Sequence, residues 1–200
     1  MLSSINKSSY STNLRAKFES YSKISDNSWR LLTELISFKT LKTNEAILRN
    51  GKTAKNIYFV CKGALIAYYT DLDGNSYTKN IFLESDFAGS TVSYLLNKPS
   101  NFTLEALEET TLISINYNAY RTLINSLDDL QKFYIAYLEK NWVIDKEERE
   151  VSIVMENAKE RYVKLLKKQP NINSRIQQQY IASHLGITPT QLSRIKKSLK

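Results

Sequence analysis

Residues 56–83 read NIYFVCKGALIAYYTDLDGNSYTKNIFL, and the way this stretch is punctuated decides the fold. Positions 57–61 and 64–69 are rich in β-branched, aromatic and small apolar side chains, which suit a pleated and partly buried strand, and Lys62-Gly63 separates them. Asp73-Gly74 then stands between Tyr68-Tyr69 and the run 77–83. Asp-Gly is a strong hairpin signal, because both central positions of the tight turn need positive φ. Gly51, Gly63 and Gly74 recur at intervals of 12 and 11 residues, the rhythm of short antiparallel strands rather than of strands alternating with helices. Residues 47–115 are therefore expected to form a jelly roll.

The pattern changes after Asn125. Ser126 followed by Asp129 resembles a capping box, Asp128 also favours a helix N-terminus, and neither glycine nor proline occurs again before Pro170. A long helix is expected here. Leu127, Leu130, Tyr134, Tyr137, Asn141, Ile144, Glu148 and Val151 step alternately by three and four, the seam that a helix offers to an identical partner. A dimer seam through Leu130, Tyr134, Tyr137, Asn141 and Ile144 is expected, with Asn141 fixing register; packing of the same stripe on the chain's own β-domain is the alternative. The apolar period lapses in KEEREVSIVME, residues 146–156, which predicts a break, and a further helix over 157–169 ends before Pro170.

Charge locates the next function. Residues 157–200 hold ten Lys and Arg against one acid, Glu160, whereas the rest of the chain holds 18 basic and 19 acidic groups. A segment of net charge +9 attached to a nearly neutral body is the footprint of a polyanion binder. Within it, Ile181, Ala182 and Leu185 share one helical face, Gly186 allows a turn at positive φ, Thr188 is a good N-cap and Pro189 occupies the first helical position. Leu192, Ile195 and Leu199 line the buried face of the second helix, and Thr190, Gln191, Arg194 and Lys197 the opposite one. This is the pattern of a helix-turn-helix, whose second helix offers polar side chains to the DNA major groove. The expected DNA-binding set is Thr188, Thr190, Gln191, Ser193, Arg194 and Lys197, with Lys196, Lys197 and Lys200 suited to phosphates.

Several classes are excluded. One cysteine, Cys61, precludes an internal disulfide or a thiolate cluster and reads as a buried strand residue. The sole histidine, His184, has no second histidine or thiol nearby, so it reads as structural or phosphate-facing; no metal site is expected, and a cupin-type enzyme lacks its ligands. No apolar run is long enough to span a membrane and no hydrophobic stretch near the start suits a secretory signal, which points to the cytoplasm. The expected protein is not an enzyme.

Two stretches resemble the Crp/Fnr family of bacterial transcription regulators: IYFVCKGALIAYYTDLDGNSY, residues 57–77, is similar to the family's early β-hairpins, and YIASHLGITPTQLSRIKK, residues 180–197, to its DNA-reading unit. The likeness spans residues 24–200. It implies an α+β chain in three parts: a cyclic-nucleotide-binding-like jelly roll with N-terminal helices over 1–125, a dimerisation helix and hinge over 126–156, and a small helix-turn-helix domain over 157–200. The family usually adds a β-wing; with the chain ending at Lys200, no full wing is expected. The positions matching the family's base contacts are Pro189, Thr190, Gln191 and Arg194, of which proline offers no side-chain hydrogen bond. The family's phosphate cassette corresponds to DFAGSTVSYLLNKPSNFT, residues 86–103, which makes Gly89, Ser90, Thr91, Ser100 and Asn101 the candidate ligand pocket. Ser90 stands where members that bind cyclic AMP have an acid, and Ser100 where they have arginine, so binding of cyclic AMP in the usual manner is not expected. Lys98 reads as a solvated loop lysine. Tyr58, Tyr68, Tyr69, Tyr77, Phe82 and Phe87 suit either an apolar pocket or an ordinary core.

The reading is a homodimeric DNA-binding transcription regulator. Its partners are double-stranded DNA and a second copy of the chain, and the resemblance also raises RNA polymerase. No cofactor is assigned, and an unidentified small-molecule effector is left open. The competing reading is a cyclic-nucleotide-binding-like adaptor whose basic tail recruits an acidic partner.

Overall fold

A computed structural model describes residues 4–199. Helices α1 (Ser4–Glu19) and α2 (Asp26–Glu34) precede strands β1 (Ile36–Leu41), β2 (Ala46–Leu48), β3 (Asn56–Lys62), β4 (Leu65–Thr70), β5 (Ser76–Phe82) and β6 (Phe87–Ala88). After the short helix α3 (Thr91–Leu96) come β7 (Thr103–Ala106), β8 (Thr110–Asn116), α4 (Tyr117–Ser126) and α5 (Asp128–Leu138). A π-helical turn, Glu139–Ile144, joins α5 to α6 (Asp145–Met155), and α7 (Ala158–Lys168), α8 (Ile172–Arg175), α9 (Gln178–His184) and α10 (Pro189–Ser198) complete the chain.

The strands form the expected jelly roll: two four-stranded sheets, ordered β1-β8-β3-β6 and β2-β7-β4-β5, with every pairing antiparallel. Residue alternation explains how they stack. Tyr58 and Val60 of β3 point into the sandwich with Leu65, Ala67, Leu104 and Leu112, while Phe59 and Cys61 point the other way, toward Leu14, Phe18, Leu32, Leu130 and Phe133 of the helices. Sheet β1-β8-β3-β6 is thus covered on both faces, which is why its central strands read as continuous apolar runs. Burial pushes the Cys61 thiol up to about 12, against a smaller opposing hydrogen bond at Ile113, so it is an unreactive core residue. The β4–β5 hairpin closes where the carboxylate of Asp71 accepts the Asp73 and Asn75 N–H groups at 3.0 and 2.8 Å and Gly74 takes φ +86°.

One expectation about the long helix needs correction. Ser126 does not cap it: its hydroxyl donates to Leu123 O, and Asp129 instead accepts from Ser25 N and Ser28 Oγ at 2.8 and 2.7 Å, tying the start of α5 to that of α2. The expected break within 146–156 falls at its far end: helical order persists to Met155 and stops at the extended residue Glu156.

The seam itself is divided. Leu130 is fully buried in the chain's own core, Tyr137 meets Tyr21 and Phe87 edge-on with centroids 5.4 and 5.7 Å apart, and Tyr134 packs on the same cluster. Asn141 donates to Tyr21 Oη at 3.1 Å and to Tyr137 O at 2.8 Å. All four contact their own roll: Leu130 is fully buried there, and Tyr134, Tyr137 and Asn141 remain half-exposed. The π turn inserts one residue into the repeat, so the inward positions beyond it are Asp145, Arg149, Ser152 and Glu156, whereas Ile144, Val151 and Met155 turn outward and are exposed.

The C-terminal helices pack on the roll. Ile172, Ile176, Ile181 and Leu185 form one buried cluster with Ala64 and Ile81 of the β-domain, and the Ser183 hydroxyl accepts the Thr78 N–H at 2.8 Å. Arg175 forks onto both oxygens of Glu84 at 2.7 and 2.9 Å and also reaches Glu108. Desolvation pulls the Glu84 carboxyl upward, but the Arg175 guanidinium and the Gly63 N–H outweigh it and hold the group below its ordinary value of 4.5. Its contribution to stability is therefore complete above pH 4.5 and lost as the pH falls through the depressed value. Because the clamp is partly solvated, Arg175→Ala is expected to cost about 1 kcal/mol at neutral pH. Thermal unfolding from pH 7 to 3 checks this, since the gap between wild type and variant should close below pH 4.5; a gap that stays constant contradicts the clamp.

Candidate nucleic-acid interface and ligand pocket

The terminal helix pair is built from local signals. At the end of α9, Ile187 N donates to Ala182 O and Gly186 N to Ser183 O, at 3.0 and 3.1 Å, with Gly186 at φ +70°. This is a Schellman stop, and it turns the chain directly into the next helix. Thr188 caps α10: its Oγ1 accepts Gln191 N at 3.2 Å, Gln191 Oε1 accepts Thr188 N at 2.9 Å, and Pro189 follows. Leu192 is buried against Tyr162, Ile181 and Ala182, which fixes the rotation of α10 about its axis. Arg161 donates to Leu185 O at 3.2 Å, and Asn173 donates to Tyr162 Oη at 2.7 Å, so α7 and α8 brace the pair.

Of the residues expected at a DNA interface, Thr188, Thr190, Gln191, Arg194 and Lys197 are exposed and Ser193 is half-buried. Their roles divide. Thr188 and Gln191 are engaged with each other in the cap, so Gln191 Oε1 is not free for a two-point contact with adenine, while Thr190, Arg194 and Lys197 face solvent. Lys196 is half-buried, and desolvation lowers its pKa. Lys200 lies outside the described residues. Helix α8, with its clamp residue Arg175, carried no motif and was legible only from tertiary packing.

The candidate cassette pocket is rearranged. Ser100 is buried, donating to Phe102 O at 3.0 Å and accepting its N–H at 3.3 Å; Ser90 is buried as well, and Asn101 is exposed. Ser93, unmarked in the sequence, holds the segment closed by donating to Lys98 O at 2.5 Å and accepting Ala54 N at 2.9 Å. Of the five, Gly89 and Thr91 line a cavity of about 390 Å³ between the β5–β6 edge, α1, the long helix, α7 and α9. Phe82 and Phe87 also line it, but Tyr58 lies inside the sandwich, Tyr68 donates to Glu105 at 3.0 Å and Tyr77 is exposed. His184, half-buried, lines the cavity; desolvation and then Arg149 lower its pKa, so it stands neutral.

Residues 38–126 match the cyclic nucleotide-binding domain family. This part of the chain is similar to cyclic nucleotide-binding domains. Over 82–88% of its length the chain shares its fold with three solved proteins. FixK2 from Bradyrhizobium japonicum superposes with TM-score 0.69 at 17% identity, over 82% of this chain and 84% of that one. The c-di-GMP responsive global regulator CLP of Xanthomonas campestris gives 0.65 at 16%, over 88% and 91%. The catabolite activator protein of Thermus thermophilus gives 0.53 at 20%, over 88% and 84%. No curated protein sequence matches the chain. Among the described residues no helix is long and apolar enough to cross a membrane, and no group of three or more His, Cys, Asp or Glu could hold a metal ion.

Proposed function

We propose that the protein is a cytoplasmic, homodimeric transcription regulator that binds specific double-stranded DNA through α10, with the cyclic nucleotide-binding domain as its sensor. The observation that carries this is the capped helix pair, rigid at Gly186 and Thr188, presenting Thr190, Arg194 and Lys197 to solvent on the segment of net charge +9. The exposed apolar stripe beyond the π turn, Val151, Val154 and Met155, supports the dimer. Ser100, folded back on Phe102 where an arginine would be needed, supports the view that cyclic AMP is not bound in the usual manner.

The test is to select bound fragments from genomic DNA and compare the slope of log affinity against log salt on the selected and on random duplexes. A regulator keeps a large advantage on the selected duplex where a purely electrostatic binder loses all affinity. Arg194→Ala is expected to lower affinity for the selected duplex about 10-fold to 100-fold while leaving random DNA nearly unchanged. Equal loss on both would remove Arg194 from the base-reading role.

A further inference from the structure

A second cleft, of about 330 Å³, lies where β1, β2 and the β2–β3 loop meet, and no residue of the cassette lines it. We propose that it binds a diphosphate group, either free or carried by a nucleoside. The proposal stands apart from the DNA-binding reading, because every residue of its wall belongs to the β-domain.

The charge comes first. Lys39 from β1, Arg49 just after β2, and Lys52 and Lys55 from the loop all line the cleft, all four are exposed, and no carboxylate stands on its wall. None of the four takes part in an ion pair among the described residues. The acids of the flanking segments are engaged elsewhere. Glu45 accepts Lys42 N at 2.9 Å, and Glu105, opposite Ala46 in the β2–β7 pair, accepts the Tyr68 hydroxyl at 3.0 Å. Average composition does not account for the cluster: residues 1–156 hold 18 basic and 19 acidic groups, yet residues 39–55 hold five basic groups and one acid. Like charges gathered from three segments are stabilised by an anion set between them.

The backbone that carries these cations is already fixed. Lys39 pairs with Leu112 in the β1–β8 ladder, and Lys55 O accepts Tyr117 N at 2.9 Å. Ser93 Oγ accepts Ala54 N at 2.9 Å, Ser100 N donates to Lys52 O at 2.9 Å, and Gly51 N donates to Ser100 O at 2.7 Å. The serines that close the cassette segment therefore also hold this loop in place. An anion would not have to order it, which removes part of the entropic cost of binding. The cation types then select the ligand. Ammonium groups act as point charges, and a guanidinium bonds two phosphate oxygens at once. One phosphate group carries a charge of about −1.5 to −2, so four cations match two joined phosphates rather than one. Thr53 and Asn56 add uncharged polar groups to the same wall.

The test is isothermal titration of the full chain at fixed ionic strength with pyrophosphate, orthophosphate, ADP, AMP and the acidic peptide hexaglutamate. One pyrophosphate per chain is expected, bound about 10-fold more tightly than orthophosphate or hexaglutamate. A chain carrying Lys52→Gln and Lys55→Gln should bind pyrophosphate about 10-fold more weakly with an unchanged melting temperature, since both side chains are exposed. A chain carrying Arg194→Ala and Lys197→Ala should bind it as the parent does, which separates the cleft from the basic terminal segment. ADP that binds at least as tightly as pyrophosphate, and is lost with Lys52 and Lys55, supports a diphosphate carried by a nucleoside; pyrophosphate binding with ADP excluded supports the free group. Orthophosphate or hexaglutamate binding as tightly as pyrophosphate overturns the proposal. So does a Lys52 and Lys55 double variant that binds as the parent does, or loss of binding in the Arg194 and Lys197 variant instead.

Discussion

A chain carrying Val151→Glu and Val154→Glu should sediment as a monomer and bind its selected DNA at least a hundredfold more weakly than the parent. The two valines are 53% and 80% exposed, sit three residues apart on one helical face, and continue into Met155 at 77%. Such a contiguous apolar strip on a soluble helix marks an interaction face, and a second copy of the same strip covers it symmetrically. Two facing pairs of buried carboxylates would repel each other and lose hydration with no partner to compensate. The effect on DNA follows from geometry, because paired recognition helices engage half-sites about 34 Å apart, and losing the second engagement removes about 10²-fold to 10⁴-fold in avidity. Stability of the single chain should change by less than about 0.5 kcal/mol, since neither side chain is part of its core. Sedimentation and thermal melting on the same samples separate these effects; a double variant that remains dimeric would place the interface elsewhere.

Gly63→Ala should be the most damaging single methyl group that can be added to the roll. Gly63 lies at φ +96° between β3 and β4, and a Cβ there would stand 2.5 Å from Thr110 Oγ1, 2.7 Å from Glu109 O and 2.7 Å from Thr110 Cα. Neither backbone group can move aside: Thr110 is fully buried, and its hydroxyl ties Ala64 O and Glu108 O at 3.1 and 2.8 Å. The left-handed φ costs about 1–2 kcal/mol for any L side chain, and the overpacking about 1–3 kcal/mol more. A total of about 3 kcal/mol or above is expected in urea unfolding. Gly51→Ala is the control, with φ +80° but nothing within 4 Å of its new Cβ, so that only the backbone part remains. Equal losses at the two positions would show that the approach of Thr110 plays no part.

The elements that the residues announced most clearly are those governed by short-range chemistry. Asp73-Gly74 closes a hairpin wherever it lies between two strand-forming runs, and Thr188-Pro189 begins a helix for reasons contained within four residues. The jelly roll and the terminal helix pair were legible for that reason. The Arg175 clamp was not, because its partners Glu84 and Glu108 lie 91 and 67 positions away and no local pattern links them. The cassette was half legible. Replacing an arginine by Ser100 argues against the usual phosphate contact, but only packing reveals that Ser100 and Ser93 close the segment and that the open space lies beside His184 instead. The seam was legible only in part, since a strict alternation of three and four assumes one uninterrupted α-helix and the π turn shifts it by one residue.

Chain length within Glu139–Ile144 is therefore a geometric variable in its own right. One residue of an α-helix subtends about 100°, so a single extra position acts as a fixed angular offset between the two halves of a shaft. Deleting one residue there would turn the segment into plain α-helix and keep Asp145, Arg149 and Ser152 inward, whereas winding its full length as α-helix would swing Val151 and Met155 toward the roll and carry Arg149 away from it. That rewinding would bury the exposed strip at Val151 and Met155 without altering a side chain on either face.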